Sequence, residues 1–347
     1  MTYNIGLVGC GTVGAGLLSL LDEKRTFLRE RHGFSFEVCL LSDYARGTIC
    51  APAGIPLAEA VRNLAEKGNI HDMPGARREP VPLPDLLREV PLHFLCEATP
   101  TNYETGEPSR GILTAALSAG VDAVTCSKGA VGLFLDELKA LAKRNGAHLR
   151  FESSVLSGTP LINLARDAMA GCEIRRVEGI FNGTTNYILT RMEEGMGYAE
   201  ALAEAQRLGY AETDPTGDVE GFDAAVKVCI LAAELFGTPL RIADVDRTGI
   251  SGVTGEAVRT ANAAGKRVKL VAGVERTANG VRGYVAPTPL PAEHPLAGVS
   301  GATNAACLTT DNLGDVTVIG PGAGARETAQ GLLADMLEIA ARRCQGR

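Results

Sequence analysis

The first fourteen residues constrain this chain more than any other stretch. Residues 4–8, NIGLV, form a short apolar strand that runs into Gly9-Cys10-Gly11-Thr12-Val13-Gly14, and a helical stretch, VGAGLLSLLDEKRTFLRERHG, follows. A lone GxGxxG run says little. Set between a first strand and a first helix, it predicts a tight turn whose glycines let the backbone approach a pyrophosphate, with the helix N-terminus stabilising the charge. The bland alternative is a tight turn with no ligand.

The alternation continues. A second strand, FEVCLLS, ends at Asp43; helices are expected around Leu57–Lys67 and near Pro84–Glu89; then come strand LHFLCEA, helix Gly111–Ala119, strand DAVTCS, helix Leu133–Asn145 and strand HLRFESSV. Such a pattern predicts an α/β domain of Rossmann type, a doubly wound parallel sheet covered on both faces. Ligands in such sheets gather beyond the carboxyl ends of the strands, where Thr99 and Lys128 fall. An acid ending the second strand can bond an adenosine ribose 2′-hydroxyl, which favours NAD, whereas Arg46 could meet a 2′-phosphate. Asp43 lies 43 − 14 = 29 residues beyond Gly14, further than the usual roughly 20, so NAD and NADP both stay open.

A length of 347 residues suits two domains, and 45% apolar with 22% charged residues is a globular balance. The net charge of −7 argues against a nucleic-acid surface and calls for no membrane. No run of eighteen apolar residues occurs, and the start reads as a strand, not a signal peptide. The nine cysteines lack CxxC or zinc spacings, and Cys39, Cys96 and Cys229 sit in apolar runs, so buried free thiols in a reducing cytoplasm are expected. Five scattered histidines leave little room for a histidine triad. Any chemistry here falls to lysine and carboxylates.

The second half offers both. FDAAVKVCILAAELFG reads as a buried helix whose charges before Glu234 are Asp223 and Lys227, spaced i,i+4 on one face. An i,i+4 pair is ordinarily a surface pair. Here the flanking Ala224, Ala225, Val226, Val228, Cys229, Ile230 and Leu231 argue for burial, and buried pairs cluster at sites of chemistry. Upstream, Gly209 ends an amphipathic helix and a loop carries Glu212, Asp214, Asp218 and Glu220. Asn182, Thr184 and Thr185 read as turn-shaping residues at the domain joint. The composition shift near 150 predicts a dinucleotide-binding domain over 1–150 and a second, α+β domain over 151–302 for substrate binding and dimerisation. GKRVKLVAGVERTANGVRGYVAP reads as an antiparallel hairpin. The segment 303–347, ending in strand, GPGAG turn and helix, is expected to rejoin the first domain and close over the cofactor.

Taken together, GLVGCGTVG, EATPTNYETGEP at 97–108, TCSKGAV at 125–131, GIFNGTTNYIL at 179–189, AETDPTGDVEGFDAAVK at 211–227 and GPGAG at 320–324 resemble the homoserine dehydrogenase family along nearly the whole chain. The resemblance implies NAD(P)H-dependent interconversion of L-aspartate 4-semialdehyde and L-homoserine. It implies Lys227 as proton donor and acceptor, Lys128 near nicotinamide and substrate, and Glu212 and Asp223 holding the substrate with Asp218 nearby. Gly9, Cys10, Gly11, Thr12, Val13, Gly14, Thr99 and Gly322 would touch the cofactor. Main-chain oxygens of Glu152, Val155, Ser157 and Thr159 would hold a monovalent cation such as Na+. A cytoplasmic homodimer acting on a small molecule is the expectation.

Two departures from the family pattern stand out: Ser127 where Asn is usual, and Phe222 where Leu is common. With the chain ending at Arg347 and no kinase ahead of it, a stand-alone enzyme lacking a domain commonly used for threonine feedback is expected. A two-domain oxidoreductase for another amino acid and a non-catalytic cofactor sensor remain as alternatives.

Overall fold

The structure, a computed structural model, describes residues 2–344. By contact the chain divides into two compact units, Met1–Gly158 with Gly324–Arg347, and Thr159–Ala323.

The first unit begins with β1 (Thr2–Val8), whose second half is buried throughout as a central strand requires, and α1 (Thr12–His32). β2 (Ser35–Asp43), β3 (Gly47–Cys50), α2 (Leu57–Lys67), α3 (Leu83–Glu89), β4 (Phe94–Glu97), α4 (Ser109–Ser118), β5 (Asp122–Thr125), α5 (Lys128–Arg144), β6 (Leu149–Arg150) and α6 (Ser153–Leu156) follow. The sheet order is β3-β2-β1-β4-β5-β6. From β1 the chain winds outward through β2, then returns to place β4 on the other side of β1, where both neighbours are parallel. This order reverses between β1 and β4, which opens a crevice at their carboxyl ends.

Three local expectations need correction. β3 is an antiparallel edge strand hydrogen-bonded to β2, not part of a parallel winding. Only Leu149–Arg150 of HLRFESSV is strand, and Ser153–Leu156 turns helical. Helix α5 starts at Lys128, five residues before the expected Leu133, because the Ser127 side chain caps it by accepting from Ala130 N–H.

In the second unit β7 (Ile174–Ile180), α7 (Gly183–Glu193), α8 (Tyr198–Arg207), α9 (Thr216–Val219) and α10 (Phe222–Phe236) precede β8 (Asp246–Arg247) and α11 (Gly255–Ala263). The expected hairpin is β9 (Lys266–Thr277) with β10 (Gly280–Pro291), and β11 (Thr303–Thr310) and β12 (Asp315–Pro321) complete a sheet of order β12-β11-β7-β9-β10-β8. Its neighbours run antiparallel except β8 beside β10.

This sheet moves the predicted boundaries. β11 pairs with β7 and β12, so residues 303–321 belong to the second unit, and the first unit extends to Gly158 beyond 150. Only the closing helix, α12 (Ala325–Cys344), rejoins the first unit, where it lies along α1 and buries Leu332, Leu333, Met336 and Ile339. Each such side chain contributes about 1.5–3 kcal/mol relative to exposure. Residues 345–347 of the predicted C-terminal segment, and residue 1, lie outside the described residues.

Candidate active site

The turn after β1 is built around three glycines with different jobs. Gly9 has φ +93, and a Cβ there would meet the Ala98 carbonyl oxygen at 2.5 Å. At Gly14 a Cβ would strike the Gly9 carbonyl oxygen at 2.0 Å, so this glycine lets α1 pack onto the turn. A Cβ on Gly11 meets nothing within 4 Å, leaving open space at the point where α1 begins. No side chain caps α1 and no acid lies in its first turn. Cys10 is buried, with its thiol pushed up to about 12 by that burial, so it serves as an inert apolar side chain. Thr12 is exposed and Val13 packs partly against the core. These features fit a pyrophosphate: an uncapped, positively polarised helix start facing unfilled space.

Asp43, left open between two cofactors, has a structural task. Its Oδ2 accepts from Cys10 N–H at 2.8 Å, and Oδ1 accepts from Ala45 and Arg46 N–H at 3.0 Å each. The carboxylate thereby ties the glycine turn to the turn after β2, and Arg46 Nε stands 4.0 Å away. Both groups that could read a ribose therefore sit together at the rim of the turn.

Thr99 follows β4 and Lys128 follows β5, as expected for residues beyond strand ends. Thr99 is partly exposed, its N–H donating to Glu97 Oε1 at 2.7 Å. Lys128 is half-buried as the first residue of α5, a helical position and not the solvated turn a lone lysine suggests. Its charge reaches Cys126, whose thiol is nevertheless raised to about 12 by burial and by Glu97.

In the second unit the Asp223–Lys227 pair is buried. Lys227 is 5% exposed and Asp223 6%. Lys227 Nζ donates to Asp223 Oδ2 at 2.7 Å and to the carbonyl oxygen of Phe181, which lies between β7 and the Asn182 cap of α7. Asn182 completes the cluster. Its Nδ2 donates to Asp218 Oδ1 at 2.7 Å and to Asp223 Oδ2 at 3.1 Å, while its Oδ1 caps α7 by accepting from Thr185 N–H at 2.9 Å. Burial and then the neighbouring Asp223 push the Asp218 carboxyl up, against the bonds from Asn182 and Thr184 and the charge of Lys227. Thr184 also donates to the Tyr210 carbonyl at 2.6 Å. The turn-shaping role read for Asn182 is thus present, but the same side chain bridges two carboxylates. The sequence signalled its cap and gave no sign of the bridge.

Glu212 stands apart from this cluster. It is exposed, and its carboxylate makes no hydrogen bond or ion pair within the described residues; only its carbonyl is engaged, by Gln206. Phe222 packs under the Arg247 guanidinium at 3.7 Å, a packing role as expected. Gly322 is also explained locally: a Cβ there would lie 2.0 Å from Asn304 Cγ, and one on Gly320 would lie 2.3 Å from Thr159 Oγ1. Side chains of the same unit fill the space beside this glycine turn.

The residues expected to hold a cation through main-chain oxygens are all buried. Ser157 is the one non-glycine residue with positive φ among those described, at φ 56 and ψ −121, which turns its carbonyl out of the helical direction of α6. Strain of this kind costs about 1–3 kcal/mol and persists where the surroundings impose it. The Glu152 N–H donates to Asp335 Oδ2 at 2.8 Å, and Thr159 Oγ1 donates to the Pro321 carbonyl at 2.9 Å. Among the described residues no three His, Cys, Asp or Glu side chains converge on a metal position. Oxygen-only chemistry from main-chain carbonyls fits a hard cation.

A family model described as homoserine dehydrogenase, NAD binding domain, matches residues 9–152, and one described as homoserine dehydrogenase matches residues 160–337. The chain is 41% identical to the NAD(+)-dependent homoserine dehydrogenase of Pseudomonas canavaninivorans, over 97% of this chain and 96% of that protein. It is 39% identical to the homoserine dehydrogenase of Methanocaldococcus jannaschii, over 97% and 98%. Among solved structures it is similar to a hyperthermophilic archaeal homoserine dehydrogenase in complex with NADPH, with a TM-score of 0.85 at 32% identity, covering 99% of this chain and 98% of that one. A glycine cradle inside the segment matched by the NAD-binding model and a buried lysine–carboxylate cluster inside the segment matched by the other agree with these likenesses, and the chain belongs to the homoserine dehydrogenase family.

Proposed function

We propose that this chain interconverts L-aspartate 4-semialdehyde and L-homoserine with NAD or NADP, and that Lys227 moves the proton. The observation that carries the residue assignment is the buried Lys227–Asp223 pair. A buried ion pair is weak evidence for stability, since apolar residues of similar volume do as well or better. Its retention among the apolar residues of α10 is better explained by chemistry.

A dinucleotide held at the glycine turn would supply or take up the hydride. Lys227 gives its proton to the oxygen that becomes the homoserine hydroxyl, and accepts it in the reverse direction. Asp223 holds the ammonium in place through a 2.7 Å bond and favours its charged form. Asp218, Asp223 and the exposed Glu212 offer carboxylates to the substrate ammonium, orienting the chain for reaction. Gly9, Gly11 and Gly14 shape the cradle for the pyrophosphate, with Cys10, Thr12 and Val13 lining it, and Thr99, Lys128 and Gly322 complete the cofactor and nicotinamide contacts. Main-chain oxygens of Glu152, Val155, Ser157 and Thr159 would hold a monovalent cation, whose part is to fix the backbone there.

A homodimer in the cytoplasm belongs to the same proposal. Nine free thiols suit a reducing compartment, and among the described residues no helix is long and apolar enough to cross a membrane. The test is initial-rate measurement with homoserine and with a panel of other amino alcohols, each against NAD+ and NADP+. Homoserine-dependent reduction of one or both cofactors is expected. Cofactor binding without turnover on any member would leave only a sensor.

A further inference from the structure

Glu97 ends β4 and is fully buried, yet no cation pairs with it among the described residues. Its Oε1 accepts from Thr99 N–H at 2.7 Å, from the Thr99 hydroxyl and from the Ser109 hydroxyl at 2.9 Å; Oε2 accepts from the Thr125 hydroxyl. Every group around this carboxyl is thus a donor or a hydroxyl. Burial pushes the acid up, and the bonds from Thr125, Thr99 and Ser109 pull it back. A buried carboxyl held by hydrogen bonds alone, without a counter-charge, is costly to place in a core. Its place therefore calls for a reason beyond packing.

That reason lies in what its two oxygens grip. Glu97 and Thr125 are register partners at the carboxyl ends of adjacent parallel strands. Through Oε1 the carboxyl fixes the turn at Thr99. Through Oε2 it fixes the Thr125 hydroxyl, which accepts from Ser127 N–H at 2.9 Å, and Ser127 caps the helix whose first residue is Lys128. We infer that Glu97 is a positioning residue that clamps the Thr99 turn and the start of α5 together, holding Thr99 and Lys128 in register for the cofactor. This rests on the roles proposed above for Thr99 and Lys128. The isosteric amide weakens the arm to α5: with its oxygen kept for Thr99, its NH2 faces the Thr125 hydroxyl, which must then accept where it had donated while it already accepts from Ser127 N–H.

The arms of the clamp can be released one at a time. E97Q should lower kcat/KM at least about tenfold, in keeping with the steep cost of small misplacements near reacting groups. T125V should lower kcat about fivefold or more, with a smaller loss of cofactor affinity, read by NADH fluorescence titration, than E97Q shows, because it frees only the arm to α5 and leaves the Thr99 turn held. S109A removes a bond to the same buried oxygen but releases neither turn, so both constants should stay within about twofold of wild type. A purely structural carboxyl would lower the melting temperature of all three variants and leave the kinetic constants of the folded enzyme unchanged; that pattern, or equal kinetic losses in S109A and T125V, overturns the inference. If E97Q fails to fold, the contrast between T125V and S109A decides. K128A separates the two levels. Wild-type rate and affinity in K128A would remove the site reading itself, whereas an impaired K128A beside wild-type E97Q and T125V removes only the clamp.

Discussion

Replacing Asn182 with aspartate changes little but one NH2 group into an oxygen, and it tests the electrostatics of the Lys227 cluster directly. In the wild type that NH2 donates to Asp218 at 2.7 Å and to Asp223 at 3.1 Å, while the other side-chain atom, Oδ1, caps α7. Aspartate keeps the cap, being as good an N-cap as asparagine. It turns both remaining contacts into carboxylate–carboxylate encounters. Hydrogen bonds to charged groups contribute about 1.5–3 kcal/mol each, so losing two costs about 3–6 kcal/mol. Repulsion does not add in full, because carboxylates this close share a proton instead of both ionising. N182D should therefore lose at least about 3 kcal/mol near pH 8, equivalent to about 6–12 °C in the apparent melting midpoint for a unit of this size. The native cluster then holds a proton that the unfolded chain releases, so stability falls as pH rises above the ordinary carboxylate range and recovers as pH drops. Near pH 5 the shared proton restores a donor, and the deficit should shrink to about 1 kcal/mol. Thermal denaturation of both proteins from about pH 5 to about pH 8 measures this. An N182D midpoint within about 1 °C of wild type at the upper end, or a deficit that does not change with pH, would refute the reasoning.

Two further outcomes follow from the same geometry. Asp218 has its carboxyl raised by burial and by Asp223, so its ionisation penalises the fold once pH passes the ordinary carboxylate range and fully above the folded value; D218N should gain in melting temperature relative to wild type as pH rises, and a difference independent of pH would count against it. At the glycine turn, G11A should fold with near-normal stability but bind NADH at least about tenfold more weakly, since its methyl enters open space proposed for the pyrophosphate, whereas G14A should fail to fold stably, its Cβ falling 2.0 Å from the Gly9 carbonyl. Equal behaviour of the two variants in calorimetry and fluorescence titration would contradict the division of labour.

Much of this architecture was legible in the sequence because its signals are local. The strand, glycine turn and helix at the start, α2, and the β9–β10 hairpin each follow from spacing and turn residues within a few positions. The misplacements share a non-local cause. DVTVIGP reads as a strand, but nothing in it says which sheet it joins; it pairs with β11, which pairs with β7 more than a hundred residues earlier, and this puts both strands in the second unit. Helix α5 was read short because Gly129 and Gly132 lower helix propensity, and Phe134 at φ −133 marks the kink between its two parts. At the site, Asp223 and Lys227 were visible because i,i+4 spacing fixes a shared face. The Asn182 bridge and the Glu97 clamp join residues 41 and 28 apart, distances no periodicity encodes.

The central claim is that the Lys227 amine moves the proton when homoserine and the aldehyde interconvert. The most direct test is the turnover of K227A with homoserine and saturating cofactor, alongside its NADH affinity. The account predicts affinity close to wild type and turnover at least about a hundredfold slower, the low end for a lost acid–base group. A K227A enzyme that binds NADH and oxidises homoserine at the wild-type rate would contradict it.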